Sequence, residues 1–147
     1  MTRRDPLDLE VITSLALLTT RFFADYETAA GAQGLSGAQA RLLALVATEP
    51  RPMSRLALLM HCEPSNITGL VDRLERNGSV ERRADPRDRR VKVVAPTQAG
   101  LELSARVRAD LGFAAEPLAG LARPEREQLR DLLRKMIPDE DLAARTA

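Results

Sequence analysis

The sequence predicts a mainly α (α+β) fold, with helices along most of the chain and one short two-stranded hairpin. Three observations carry this. Apolar residues recur at three- and four-residue spacing over most of the 147 residues. The period changes once, in residues 80–95, to two short runs rich in β-branched residues. Pro, Gly and capping side chains mark the breaks between these segments.

The first helix is expected over residues 7–30, where Ile12, Leu15, Thr19, Phe22, Phe23 and Tyr26 share a face; Gly31 and Gly34 stop it. Ser36, with Gln39 three residues on, opens a second helix as a capping box. Leu42, Leu43, Leu45 and Val46 form its apolar side, and Pro50 and Pro52 end it. A short third helix fits residues 54–61, with Leu56, Leu59 and Met60 inward. Cys62-Glu63-Pro64 breaks it. The fourth helix runs over residues 64–77, with Pro64 pre-organised for the first turn. Ile67, Leu70, Val71 and Leu74 make its i, i+3, i+4, i+7 stripe, and Asn77-Gly78 reads as a left-handed cap. Strands come next at residues 80–83 and 91–95, joined by a charged loop over residues 84–90 that turns at Asp85-Pro86. Thr97 caps a fifth helix reaching about Ala114, and Pro117 bends or interrupts any continuation of it. Pro124 opens the last helix, whose stripe is Leu129, Leu132, Leu133, Met136 and Ile137. Residues 139–147 read as a frayed tail.

Composition removes several function classes. One Cys (Cys62) and one His (His61) allow no intrachain disulfide and no Cys/His zinc cage. No P-loop, G-x-G-x-x-G or nucleophile elbow occurs, so nothing nominates an enzyme; no catalytic residue, metal or cofactor is expected. No apolar run approaches the ~20 residues of a membrane span, and the N-terminus lacks a signal-peptide pattern. A cytoplasmic protein is expected. Net charge is only +1, but it is unevenly spread: residues 41–95 carry 11 basic and 7 acidic groups, whereas both flanks are net negative. Twenty of the 22 basic residues are Arg, which pairs bidentately with phosphate and guanine, although a GC-rich coding sequence gives the same bias.

The third and fourth helices have helix-turn-helix proportions, in which the second helix enters a DNA major groove. Its outward residues include Ser65, Asn66, Thr68, Gly69, Asp72, Arg73 and Arg76. Hydroxyls can reach phosphates or bases, Asn suits adenine and Arg suits guanine. Gly69 would let backbone approach closely. On its own, such a face is also what any solvated amphipathic helix shows. The hairpin decides between them: residues 80–95 hold 6 basic and 3 acidic groups. Arg87, Arg89 and Arg90 at its tip suit a minor groove, where negative potential is focused. Asp85 and Asp88 would pair with neighbouring Arg and hold a guanidinium in one rotamer. A hairpin placed directly after a helix-turn-helix makes a winged helix.

Residues 35–100 resemble the DNA-binding core of the multiple-antibiotic-resistance regulator (MarR) family. The resemblance is carried by Ser65-x-x-Thr68, the run from Val71 to Gly78, Val80-Glu81-Arg82, the wing run from Asp85 to Arg90, and Thr97-x-x-Gly100. It implies a single domain over residues 1–147, with a winged helix-turn-helix core at 35–97 and dimerisation helices at 7–30 and 98–138. It also implies a homodimeric transcriptional regulator, a repressor on a pseudo-palindromic operator, with Arg90 entering the minor groove and Asp88 orienting nearby Arg. Ser79 stands where the family has an apolar residue, and Pro96 where it has Leu. The outer apolar stripes agree with a dimer, since a small winged core cannot cover them; the alternative is that the two ends pack on each other within one chain. A different class of reading is a helical dimer whose winged core docks a protein.

Relatives respond to small aromatic anions, and Phe22, Phe23, Tyr26 and Phe113 could line such an effector site with Arg21 or Arg41 as anion partner. Aromatics at helical spacing equally suit a core. Cys62 lies at the helix-turn-helix turn beside Glu63, which opposes a reactive thiolate; a buried, inert Cys is expected there, and His61 a helix-end residue.

Overall fold

The structure is a computed structural model, and it describes residues 5–112 and 116–138. Helix α1 (Pro6–Ala32) starts where the Asp5 carboxylate accepts from the Leu7 N–H at 3.0 Å, with Pro6 in its first turn. Helix α2 (Gly37–Thr48) opens with the full Ser36/Gln39 capping box. A two-residue strand β1 (Arg51–Pro52) leads into α3 (Met53–Met60) and, after a three-residue turn, α4 (Pro64–Arg76). Strands β2 (Val80–Ala84) and β3 (Lys92–Pro96) form the hairpin. Helix α5 (Gln98–Asp110), a short α6 (Glu116–Ala119) and α7 (Arg123–Met136) complete the order.

The core sits between α2, α3, α4 and the sheet. Leu42, Leu43 and Val46 of α2 meet Leu56 of α3, Ile67, Val71 and Leu74 of α4, and Val80 and Val94 of the strands. Ala29 and Ala30 at the end of α1 and Val107 of α5 close it. Each fully buried Leu or Ile contributes roughly 1.5–3 kcal/mol. The outer helices are different. Among the described residues of α1 only Ala29 and Ala30 are buried, and α7 buries none.

Three expectations change. The hairpin has a third strand: the sheet order is β1-β3-β2, and β1 pairs with β3 at Arg51↔Val94 and Pro52↔Val93. Two residues, one of them Pro, carry no readable period, so only the neighbouring strand reveals this one. The fifth helix ends at Asp110, because Leu111 turns extended and Gly112 comes after it; the expected end near Ala114 falls outside the described residues, as do Phe113 and the tail at 139–147. Cys62 is half-buried rather than buried, and its thiol donates to the Met60 carbonyl at 3.3 Å. His61 caps α3 in the left-handed conformation (φ 48°), so it is indeed a helix-end residue.

The two departures from the family pattern lie at one junction. Ser79 is buried, its N–H donates to the Leu74 carbonyl at 2.8 Å, and its own carbonyl accepts from the Thr97 N–H at 3.0 Å. Pro96 ends β3 opposite Val80, where the ladder stops and α5 begins. Gly78 supplies the left-handed turn (φ 76°) that ends α4. A Cβ on Gly100 would lie 1.9 Å from the Ser79 carbonyl oxygen, so the first turn of α5 approaches β2 as closely as only glycine allows. Gly100→Ala is therefore expected to destabilise the fold by about 1–3 kcal/mol or more. Urea unfolding measures this, and an unchanged midpoint would show that the junction yields freely.

Candidate nucleic-acid interface

Helix α4 has two distinct faces. Ile67, Val71 and Leu74 face the core, while Ser65, Asn66, Thr68, Gly69 and Arg73 are exposed on the opposite side. The helix can present a polar face because its apolar stripe alone anchors it. The Thr68 hydroxyl donates to the Pro64 carbonyl at 3.0 Å, so in this rotamer it offers lone pairs outward rather than a proton. Nothing lies within 4 Å of where a Gly69 Cβ would stand, so this glycine answers to no packing need of the chain itself.

The wing carries Arg87, Arg89 and Arg90 at its tip, all exposed; the Arg90 side chain is 95% accessible. Asp85 and Asp88 fold this tip. The Asp85 carboxylate accepts from the Arg87 N–H at 2.8 Å, and Asp88 from the Arg90 N–H at 3.0 Å, each two residues on. Backbone bonds from Asp85 N–H to Val91 and from Val91 N–H to Asp88 close the loop at 2.9 and 3.0 Å. Only Asp88 also reaches a neighbouring guanidinium as expected, Arg90 at 3.8 Å. Arg87 instead reaches Glu49 at the end of α2, 3.4 Å away.

Arg82 has a role that its place in the basic run concealed. Its guanidinium binds Asp72 at 2.5 Å and Glu75 on α4, and its backbone N–H donates to Glu75 at 3.1 Å. The hydrogen bond with Asp72 holds the Arg82 pKa above its ordinary value, against partial burial, with Glu75 adding to the effect. This cation is thus neutralised within the protein, and it clamps the wing strand to α4. Sequence spacing could have suggested the pairing only if the β2–α4 contact were already known.

The aromatic residues gather on the C-terminal half of α1. Phe22 stacks edge-on with Tyr26 (centroids 5.0 Å apart) and lies 5.6 Å from Phe23. The Arg41 guanidinium of α2 sits 4.4 Å over the Phe23 ring. Arg21 points elsewhere, to Glu116 at 3.3 Å. Phe113, expected to join them, is outside the described residues. Among the described residues no group of three His, Cys, Asp or Glu side chains is placed to hold a metal ion, and no helix is long and apolar enough to cross a membrane.

A family model for the MarR family matches residues 35–92. In structure the chain is similar to CouR from Rhodococcus jostii RHA1 bound to p-coumaroyl-CoA, at 27% identity over 90% of this chain and 95% of that one, TM-score 0.79. It is also similar to a probable transcriptional regulator from Pseudomonas aeruginosa, at 30% identity over 89% and 99% of the two chains, TM-score 0.69. A cysteine-to-serine mutant MarR from E. coli complexed with operator DNA shares the fold at 20% identity, covering 92% of this chain and 100% of that one, TM-score 0.71. No curated protein matches by sequence.

The Arg82 clamp makes a measurable prediction. A double-mutant cycle with Arg82→Met and Asp72→Asn should give a coupling free energy of about 0.5–1 kcal/mol that shrinks as salt rises. Zero coupling at low salt would mean that Asp72 adds nothing to the clamp and that Glu75 and packing hold the wing to α4.

Proposed function

From the fact that the chain belongs to the MarR family, whose members are transcriptional regulators, we propose that it is a homodimeric DNA-binding repressor. The observation that carries this is the division of α4: one face wholly committed to the core, the other polar, exposed and centred on a glycine with no internal purpose. Ser65, Asn66, Thr68 and Arg73 read base edges and phosphates in the major groove, with the helix backbone brought close at Gly69. Arg87, Arg89 and Arg90 enter the flanking minor groove on a tip that Asp85 and Asp88 keep folded. Phosphate contacts supply salt-dependent affinity, and α4 supplies sequence preference. A protein-docking role for the winged core has less support, because such surfaces centre on aromatic and Arg anchors in desolvated pockets, and α4 and the wing carry no aromatic residue while α4 has a glycine at the middle of its exposed face.

The outer helices form the dimer. Ile12 and Leu17 on α1 stay 59% and 64% exposed, and Leu132 and Met136 on α7 50% and 58%. Helical stripes of this kind need a partner, and among the described residues of this chain none covers them. A two-fold dimer then presents two α4 helices to half-sites about one helical turn (~34 Å) apart, and occupancy of the site excludes the transcription machinery.

The α1 cluster supports a small aromatic anion as effector. Phe23 remains part-exposed with the Arg41 cation on its face, which pairs an aromatic surface with positive charge. The related CouR was solved with p-coumaroyl-CoA, an aromatic acyl thioester that carries phosphates.

Fluorescence anisotropy on DNA from upstream of its own gene, across a salt series, tests the regulator role. Binding should fall steeply with salt, prefer that DNA over unrelated sequence, and weaken in Arg90→Ala; equal binding of wild type and variant would contradict it. Gly69→Ala separates reading from folding. It should raise stability by about 0.5–1 kcal/mol through helix propensity while weakening DNA binding. Leu132→Glu should shift sedimentation equilibrium from dimer to monomer. Added p-coumarate, a small aromatic anion, should release DNA from wild type and have less effect on Arg41→Ala.

A further inference from the structure

A groove of about 660 Å³ opens between the end of α2, the start of α3 and the wing. Pro52 and Pro86, whose rings are rigid, line it together with the buried Val93. Four guanidinium groups line it (Arg51, Arg55, Arg83 and Arg87) against two carboxylates, Glu49 and Asp85. The carboxylates are already engaged. Asp85 accepts from the wing backbone, and Glu49 lies 3.7 Å from Arg51 and 3.4 Å from Arg87. Arg83 is half-exposed, with a loose 3.7 Å pairing to Glu81. A concave surface with an excess of two positive charges and rigid proline rings suits a phosphate diester.

Resting on the DNA-binding reading above, we propose that this groove seats a backbone phosphate of the bound DNA, held by Arg55 and Arg83 with the Ser54 hydroxyl. The groove is continuous with the wing, because Arg87 and Asp85 belong to both. In the free protein Glu49 holds Arg87 as a resident counter-anion; on binding, the phosphate replaces it and Arg87 turns to the DNA. The interface is therefore wider than the α4 face and the wing tip, and a carboxylate inside it restrains affinity.

The experiment is anisotropy on the full-length protein, with upstream and unrelated DNA, over a salt series. Arg55→Ala and Arg83→Ala should each weaken binding about three- to tenfold on both DNAs and reduce the log–log salt slope by about 0.9, the loss of one phosphate contact. Arg55→Lys and Arg83→Lys should retain the slope, since a point charge suffices, which separates lost charge from a misfolded variant. Arg108→Ala, which removes an equal charge on α5, should change neither. Glu49→Gln, which keeps an acceptor for Arg51, should tighten binding to both DNAs about two- to fivefold. Wild-type binding with unchanged slopes in the Arg55 and Arg83 variants overturns the proposal and leaves the DNA reading standing. A loss confined to upstream DNA also overturns it, since that would mark base readout. If inorganic phosphate shifts the Arg55 and Arg83 side-chain NMR signals while the DNA slopes stay unchanged, the groove serves a free phosphate and the proposal fails. No wild-type binding to either DNA removes the premise as well.

Discussion

The winged half of the molecule depends on one close contact, the first turn of α5 lying on the carbonyl of Ser79. Thr97 secures it twice, donating its hydroxyl to Gly78 at 2.6 Å and its N–H to Ser79 at 3.0 Å. The same hydroxyl caps α5 by accepting from Gly100 N–H at 3.0 Å. One residue thereby ends the sheet, starts the helix and fixes the turn leaving α4. Since the end of α4, the start of β2 and the first turn of α5 meet there, a shift of α5 at this end must be passed to β2.

The charges of the wing divide into separate duties. The hairpin looks uniformly basic in sequence, yet its cations are not equivalent. Arg82 is neutralised within the protein, bridging to Asp72 and Glu75 and keeping the wing at a set angle to α4. Arg83 is loosely paired and Arg90 is almost fully solvated. A cation already satisfied by two carboxylates gains little from a phosphate, whereas a solvated one releases counterions when it meets one. Counting basic residues in the run therefore overstates the charge available to a polyanion.

The acids of the wing show the same separation. Their value lies first in geometry: each accepts a backbone N–H two residues on, a local turn that survives whatever the guanidinium groups do. A flexible tip would lose conformational entropy on entering a groove. One folded in advance loses less, and the Arg side chains can then reorganise without the loop unfolding.

Much of this was legible in the chain. Helix stripes, the Ser36–Gln39 box, the Thr97 cap, the left-handed Gly78 and the Asp85–Arg90 turn are local, each set within a few residues by sterics or a short hydrogen bond. The outward residues of α4 are set by its period alone. What the chain could not show are pairings between distant segments: β1 against β3, Arg82 with Asp72 and Glu75, Glu49 with Arg87, and the approach of Gly100 to Ser79. Each depends on how elements pack, and packing is fixed only when the whole core closes. Local preference told which residues were polar and exposed; the tertiary structure decided which charges are already partnered and which remain free to meet another molecule.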